Sequence, residues 1–215
     1  MNINNSHIEY AIDNSKRLTL TIYKYLAEER HYIDEIVNLY LKQTELEHLA
    51  HQLTYCIHEL AGNACRANTK RTYFETKKLD IFNNDEYNVG MESFKNEVFS
   101  EKDIYHCKAK EHGLYIKFQI KKTDDSIDLS ILNNVTLTRE EESRIKEKFE
   151  KIKGYNNVAE AFHILEDSSE GAGLGIAMMI LMLKEMGLDP DRLKIFSDTN
   201  ETHAVLKLPL ELIPA

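Results

Sequence analysis

Three side chains within Ile57-His58-Glu59-Leu60-Ala61-Gly62-Asn63-Ala64-Cys65-Arg66 have the types and spacing to do chemistry. Glu59, Asn63 and Arg66 stand at i, i+4 and i+7, so on a helix they form one line. The Asn63 carboxamide oxygen is a hard ligand suited to Mg²⁺, which keeps several waters and is held largely through phosphate oxygens. Glu59, one turn away, can orient or deprotonate a water or hydroxyl beside such a metal. Arg66, one turn further, can meet phosphate oxygens. The plainer use of the same three residues is a solvated helix edge with i, i+4 contacts. His58 offers a competing chemistry, that of a phosphoacceptor. It falls with His51 on the opposite flank, away from the carboxylate line. The carboxylate line is thus a better chemical candidate than His58, and on this helix alone the solvated edge stands level with it.

A second chemical signal is Glu170-Gly171-Ala172-Gly173-Leu174-Gly175-Ile176, which opens an apolar helix. Glycines let backbone N–H groups approach phosphates, and a helix N-terminus favours negative charge. No Gly-Lys-Ser/Thr follows, so this is not a P-loop. The G-x-G-x-G spacing, without a βαβ unit, does not make a dinucleotide fingerprint. The plainer reading is a flexible connector before a core helix.

The elements that must position these groups follow from hydrophobic periodicity. Residues 8–26 and 31–44 read as two helices, an N-terminal helical segment covering 1–44 that can pack on the rest or on a second copy. A long helix runs from about 45 to 68, its core stripe being Leu46, Leu49, Leu53, Ile57, Leu60 and Ala64. Residues 69–112 read as irregular and polar, with a short helix near 87–98. Leu114–Ile120 and Ile127–Ile131 alternate around the turn composition Thr123-Asp124-Asp125-Ser126 and form a hairpin. Thr138 and Glu141 make a capping box that opens a charged helix to about Lys153. An apolar helix from Ile176 to Met186 stops at Gly187. Residues 193–196 and 203–208 form a second hairpin, ended by Pro209. Antiparallel hairpins with helices between them predict an α+β fold, a two-layer sandwich of one mixed sheet under helices, filling 45–215.

The two chemical signals in this order, E-L-x-x-N-A and then G-x-G-L-G-I, with a hairpin between and a last hairpin after, resemble the Bergerat-fold (GHKL) ATP-binding superfamily, which includes gyrase and the histidine kinases. The resemblance covers roughly residues 45 to 210. The Glu59–Asn63 helix is similar to the family's N box, Gly171, Gly173 and Gly175 to its second glycine box, and residues 204–209 to the final strand of a histidine-kinase ATPase domain. The resemblance implies that Asn63 is a Mg²⁺ ligand, that Glu59 sits where some branches keep a general base, and that Arg66 lies near phosphate. It implies that Gly171, Gly173, Leu174 and Gly175 close over the triphosphate and that 135–170 is the ATP lid. The histidine-kinase phosphoacceptor pattern carries a proline a few residues on, and none follows His58. One box departs from the family. Where it has D-x-G-x-G, this chain has Ser130-Ile131-Leu132-Asn133-Asn134-Val135-Thr136. Asn133 stands near the position of the adenine-binding Asp, and both glycines are absent. An amide can accept from an adenine amino group and can also donate, so base selectivity is relaxed or moved toward guanine. Loss of a charged acceptor also weakens binding.

Three functions are compatible with these residues. The first is a histidine-kinase-like ATPase domain that takes Mg²⁺ and ATP through Asn63, Asn133 and the glycine loop. The second is a non-catalytic regulator of the same fold that signals through a protein partner, favoured by the missing first glycine box. The third, ranked lowest, is a self-contained histidine kinase with His7, His31 or His48 as acceptor, none of which has a convincing motif. The net charge of -9 argues against nucleic acid or an anionic membrane as the main partner. Neither a signal peptide nor a membrane-spanning apolar run is visible, and the three cysteines suggest no disulfide framework, so a cytoplasmic protein with reduced thiols is expected.

Overall fold

Leu18-Thr19-Leu20-Thr21-Ile22 turns out to be a strand. The computed structural model describes residues 5–100, 102–157, 160–161 and 174–211. Helix α1, Asn5–Asp13, is broken by Ser15 at a left-handed φ of 49°, and β1 follows at Leu18–Ile22. The expectation of one helix over 8–26 is corrected. Leu18, Leu20 and Ile22 alternate with exposed threonines, the period of a strand, and β-branched threonine suits a pleated surface. Helix α2, Ala27–Gln43, buries Ile33, Ile36, Val37, Tyr40 and Leu41 on one face. Glu45 is left-handed and a short 3₁₀ turn, Glu47–Leu49, intervenes, so the long helix α3 begins at Ala50.

Helix α3 runs to Lys77, nine residues past its expected end. Thr69, Thr72 and Thr76 suggest a break, yet each hydroxyl donates to the carbonyl four residues back, at 2.8–3.0 Å, and stays within the helix. Residues 69–112 are likewise largely helical rather than irregular, as α3 continues into α4, Asn84–Ser100, and α5, Lys102–Glu111. Their apolar residues are sparse but converge: Tyr73, Phe74, Ile81, Tyr87, Val98 and Tyr105 form a small core of their own. Gly90 makes that convergence possible, because a methyl group there would lie 2.4 Å from the Phe74 ring.

The expected hairpins are present. Strands β2, Ile116–Lys122, and β3, Ser126–Asn133, pair antiparallel, as do β4, Leu193–Ser197, and β5, Thr202–Pro209. The charged helix α6, Arg139–Lys153, opens on the Thr138–Glu141 capping box. The apolar helix α7, Leu174–Glu185, is closed by Gly187 at φ 72°, with Leu188 N–H returning to Leu183 O. The sheet order is β1-β2-β3-β5-β4, and it is antiparallel throughout rather than mixed as expected, because the β3–β5 pairing that joins the two hairpins is itself antiparallel.

One face of this sheet carries Phe118, Ile120, Leu129, Ile131 and Leu206 beneath α3, in one core with α7, while Lys117, Gln119 and Ser130 turn the other way, partly exposed. The result is a two-layer α+β arrangement. The stripe Leu46, Leu49, Leu53, Ile57, Leu60 and Ala64 is buried throughout. Residues 5–44 share that core: Ile8, Ile12, Ile33 and Tyr40 cluster with Leu53, Ile57 and Phe118, and β1 lines up on β2 with Leu18 opposite Ile120. Among the described residues, no helix is long and apolar enough to cross a membrane. Cys56 and Cys65 are free thiols.

Candidate functional site

The middle of α3 holds Glu59, Asn63 and Arg66 on the line its spacing predicts. Because the neighbouring stripe is buried, this line lies at the rim of the core. Arg66 Nη2 donates to Asn63 Oδ1 at 2.6 Å and lies 4.0 Å from Glu59 Oε2. The three expected residues therefore meet one another, with the guanidinium folded back along the helix. Gly175, in the first turn of α7, comes against the same carboxylate. A methyl group there would stand 2.1 Å from Glu59 Oε2, so a side chain at 175 displaces Glu59. Leu174 beside it is exposed. Gly171 and Gly173, and residues 162–170 of the expected lid, lie outside the described residues.

A cavity of about 310 Å³ opens beside this line, between α3 and the sheet. Leu60, Ala64, Ile131, Ile176, Ile195 and Ala204 make it apolar inside. Helix α4 adds Met91 and Phe94. At its wall stand Arg66, Lys70, Arg71, Arg144 and Lys148, a local concentration of positive charge on a chain of net charge -9. An apolar interior with a cationic wall suits a flat apolar group carrying an anionic tail.

Glu141 fastens this wall. It is the third residue of α6, and its carboxylate lies 2.8 Å from Lys70 Nζ and 2.9 Å from Arg71 Nη2. Arg71 also donates to the Thr136 carbonyl. Burial opposes ionisation of Glu141, but hydrogen bonds and charge from Arg71 and Lys70 outweigh it and hold its pKa down at about 2. The described start of the expected lid is thus a helix tied to α3.

Asn133 sits on the inner face of β3, in register with Ile116 and Thr202, and it lines the cavity. It is buried, and its Nδ2 donates to Asn68 Oδ1 at 3.1 Å; Asn68 Nδ2 in turn donates to the Tyr115 carbonyl at 3.1 Å. The neighbouring Asn134 braces Tyr115 from the other side. Its Oδ1 accepts from Tyr115 N at 2.8 Å and its Nδ2 donates to Gly113 O at 3.0 Å.

His58 faces away from all of this, as its helical position predicts. Nδ1 is hydrogen-bonded to the Tyr25 hydroxyl, and Nε2 lies 2.8 Å from Asp34 Oδ1. Both ring nitrogens serve to tie α3 to α2 and the segment before it. His7 and His48 are exposed, and His31 is exposed near Glu35.

The structure thus brings Asn63, Arg66 and Asn133 to one cavity, while Glu59 and Gly175 meet each other outside its lining. Sequence reasoning missed Asn68, Lys70, Arg71 and Glu141. Lys70 carries on the line of 59, 63 and 66 and becomes visible once α3 is extended past 68. Glu141 was read only as a capping residue.

No family model matches the chain, and no solved structure matches it. The chain is 33% identical over 207 residues to an uncharacterized protein of Treponema pallidum (strain Nichols), an alignment covering 96% of this chain and 40% of that protein. The chain therefore spans about 40% of the length of the relative it matches.

Proposed function

We propose that this chain is a histidine-kinase-like nucleotide-binding protein of the Bergerat fold, acting in the cytoplasm and taking a Mg²⁺-bound nucleotide, ATP in the first instance, in the cavity beside α3. One observation carries this reading. Asn63 on α3 and Asn133 on β3, 70 positions apart, line one apolar cavity with a cationic wall, and Glu59 meets Gly175 of α7 beside the cavity-lining Leu60 and Ile176. The base fits the apolar interior near Asn133, and the phosphates lie toward Arg66, Lys70 and Arg71.

The residues present fit the metal. Among the described residues no cluster of His, Cys, Asp or Glu forms a dedicated cage. Mg²⁺ bound through phosphates needs only one or two protein oxygens, and Asn63 Oδ1 beside the Glu59 carboxylate supplies that set. When bound, the metal neutralises charge on the phosphates. Arg66 leaves Asn63 and turns to the phosphate oxygens, a small movement for a largely exposed side chain. Glu59 then orients a water, or accepts its proton, at the rim of the site.

A second reading keeps binding and drops turnover, leaving a regulator that passes its state to a protein partner. It is favoured by Glu59 being already engaged, against Gly175 and near Arg66. Phosphate release separates the two readings.

The test of both begins with thermal melts in Mg²⁺ with ATP, ADP or GTP, on the wild type and on Asn63→Ala. Ligand at a hundred times its Kd adds roughly 2.7 kcal/mol, which for a chain of this size is roughly 5–10 °C. A Mg²⁺-dependent rise that disappears in Asn63→Ala supports the proposal. No shift with any nucleotide at millimolar concentration overturns it.

A further inference from the structure

We infer that Asn68, a residue in no expected motif, is the positioning residue that sets which base the cavity accepts; the inference rests on the nucleotide reading above. The argument is one of hydrogen-bond polarity. A main-chain carbonyl can only accept, so the group of Asn68 that faces Tyr115 O must be its NH₂. The planar amide then turns Oδ1 toward Asn133, and the group of Asn133 that meets it must be a donor, Nδ2. One Nδ2 hydrogen is committed to Asn68, and Oδ1, turned from Asn68, is the acceptor Asn133 holds for a ligand in the cavity it lines. The ambiguity of a carboxamide is removed by a backbone carbonyl two links away.

The arrangement resists reversal. Turning Asn133 alone sets two carbonyl oxygens against each other in a buried place, since Asn68 and Asn133 are 5% and 3% exposed. Turning both sets Asn68 Oδ1 against Tyr115 O. Moving Tyr115 means breaking its bond to Asn134, whose amide is itself held on Gly113 O. A fixed acceptor at this point prefers a base with an amino group there. At the six-position of a purine, adenine presents such a group, whereas guanine and hypoxanthine present a carbonyl. Leaving a buried acceptor unpaired, or facing another acceptor, costs roughly tenfold to a hundredfold in affinity.

The experiment is titration calorimetry of the full chain in Mg²⁺ with ATP, inosine triphosphate and purine riboside triphosphate, which bear an amino group, a carbonyl and hydrogen at the six-position. It is repeated with Asn68→Ala. The wild type is expected to bind ATP at least about tenfold tighter than inosine triphosphate, with the purine analogue between. In Asn68→Ala, whose freed Asn133 amide can turn, the ratio falls to within about threefold, with inosine triphosphate gaining as ATP loses. Equal binding of ATP and inosine triphosphate by the wild type overturns the inference and leaves the nucleotide reading standing. So does an unchanged ratio in a folded Asn68→Ala. If that variant does not fold, the wild-type series decides. No binding of any triphosphate at millimolar concentration refutes the nucleotide reading, and this inference with it.

Discussion

Replacing Glu141 with glutamine tests how α6 is fastened to α3. In the wild type the carboxyl has a pKa of about 2 against an ordinary 4.5. A depressed acid contributes stability that is complete above its unfolded pKa and is lost as the pH falls toward the folded one. The full difference corresponds to about 3 kcal/mol, and little discount for solvent applies because the side chain is only 13% exposed. Near neutral pH, Glu141→Gln forfeits that contribution and also leaves Lys70 and Arg71, 15% and 12% exposed, without their carboxylate. Breaking such a pair costs about 3–5 kcal/mol, or roughly 6–20 °C in Tm for a chain of this length. On acidification the wild type loses the Glu141 contribution and the variant has none to lose. By about pH 3.5, about 1.4 kcal/mol of it is gone, so the gap in Tm narrows by roughly 3–6 °C. Melts of both proteins between neutral pH and about 3.5 read this directly, and other titrating groups cancel because the two proteins share them. Equal Tm near neutral pH, or a gap that stays constant or widens with acid, would refute the linkage.

Two further substitutions probe close approaches. Gly175→Ala puts a methyl group 2.1 Å from Glu59 Oε2; the flexible carboxylate moves aside, so stability in thermal melts changes by less than about 1 kcal/mol, and under the proposed ATPase reading phosphate release from Mg²⁺-ATP falls about a hundredfold. Gly90→Ala instead meets the Phe74 ring at 2.4 Å, and a ring enclosed by Tyr73 and Tyr87 cannot yield cheaply. Urea denaturation should show a loss of about 1–3 kcal/mol, with proteolysis quickened within 69–112 before elsewhere.

What the sequence made legible was whatever a single helix or a local turn decides. Glu59, Asn63 and Arg66 could be aligned from spacing alone, because α3 is regular and its buried stripe is unbroken from Leu53 to Ala64. The turn at Thr123–Ser126 and the cap at Thr138 were readable for the same reason. Leu18–Ile22 was not: its alternation lasts only five residues, too short to stand out beside the flanking helices, and pairing with β2 is what fixes it as a strand. The helices of 69–112 escaped because their few aromatic residues find one another only in three dimensions. Asn68 and Asn133 lie 65 positions apart, and their mutual orientation is set by a carbonyl that no side-chain pattern reveals.

The position of β1 has a consequence for how the chain is made. Leu18 waits for Ile120, about a hundred residues downstream, before it has a partner. At ribosomal rates of about 5–20 residues per second, that strand is an unpaired apolar edge for roughly 5–20 seconds of synthesis. Helices α1 and α2 form early from local contacts, but the sheet beneath them closes only when β2 arrives. Without β1, β2 would be left as the sheet's edge, so the N-terminal segment completes the sheet as well as packing on its core.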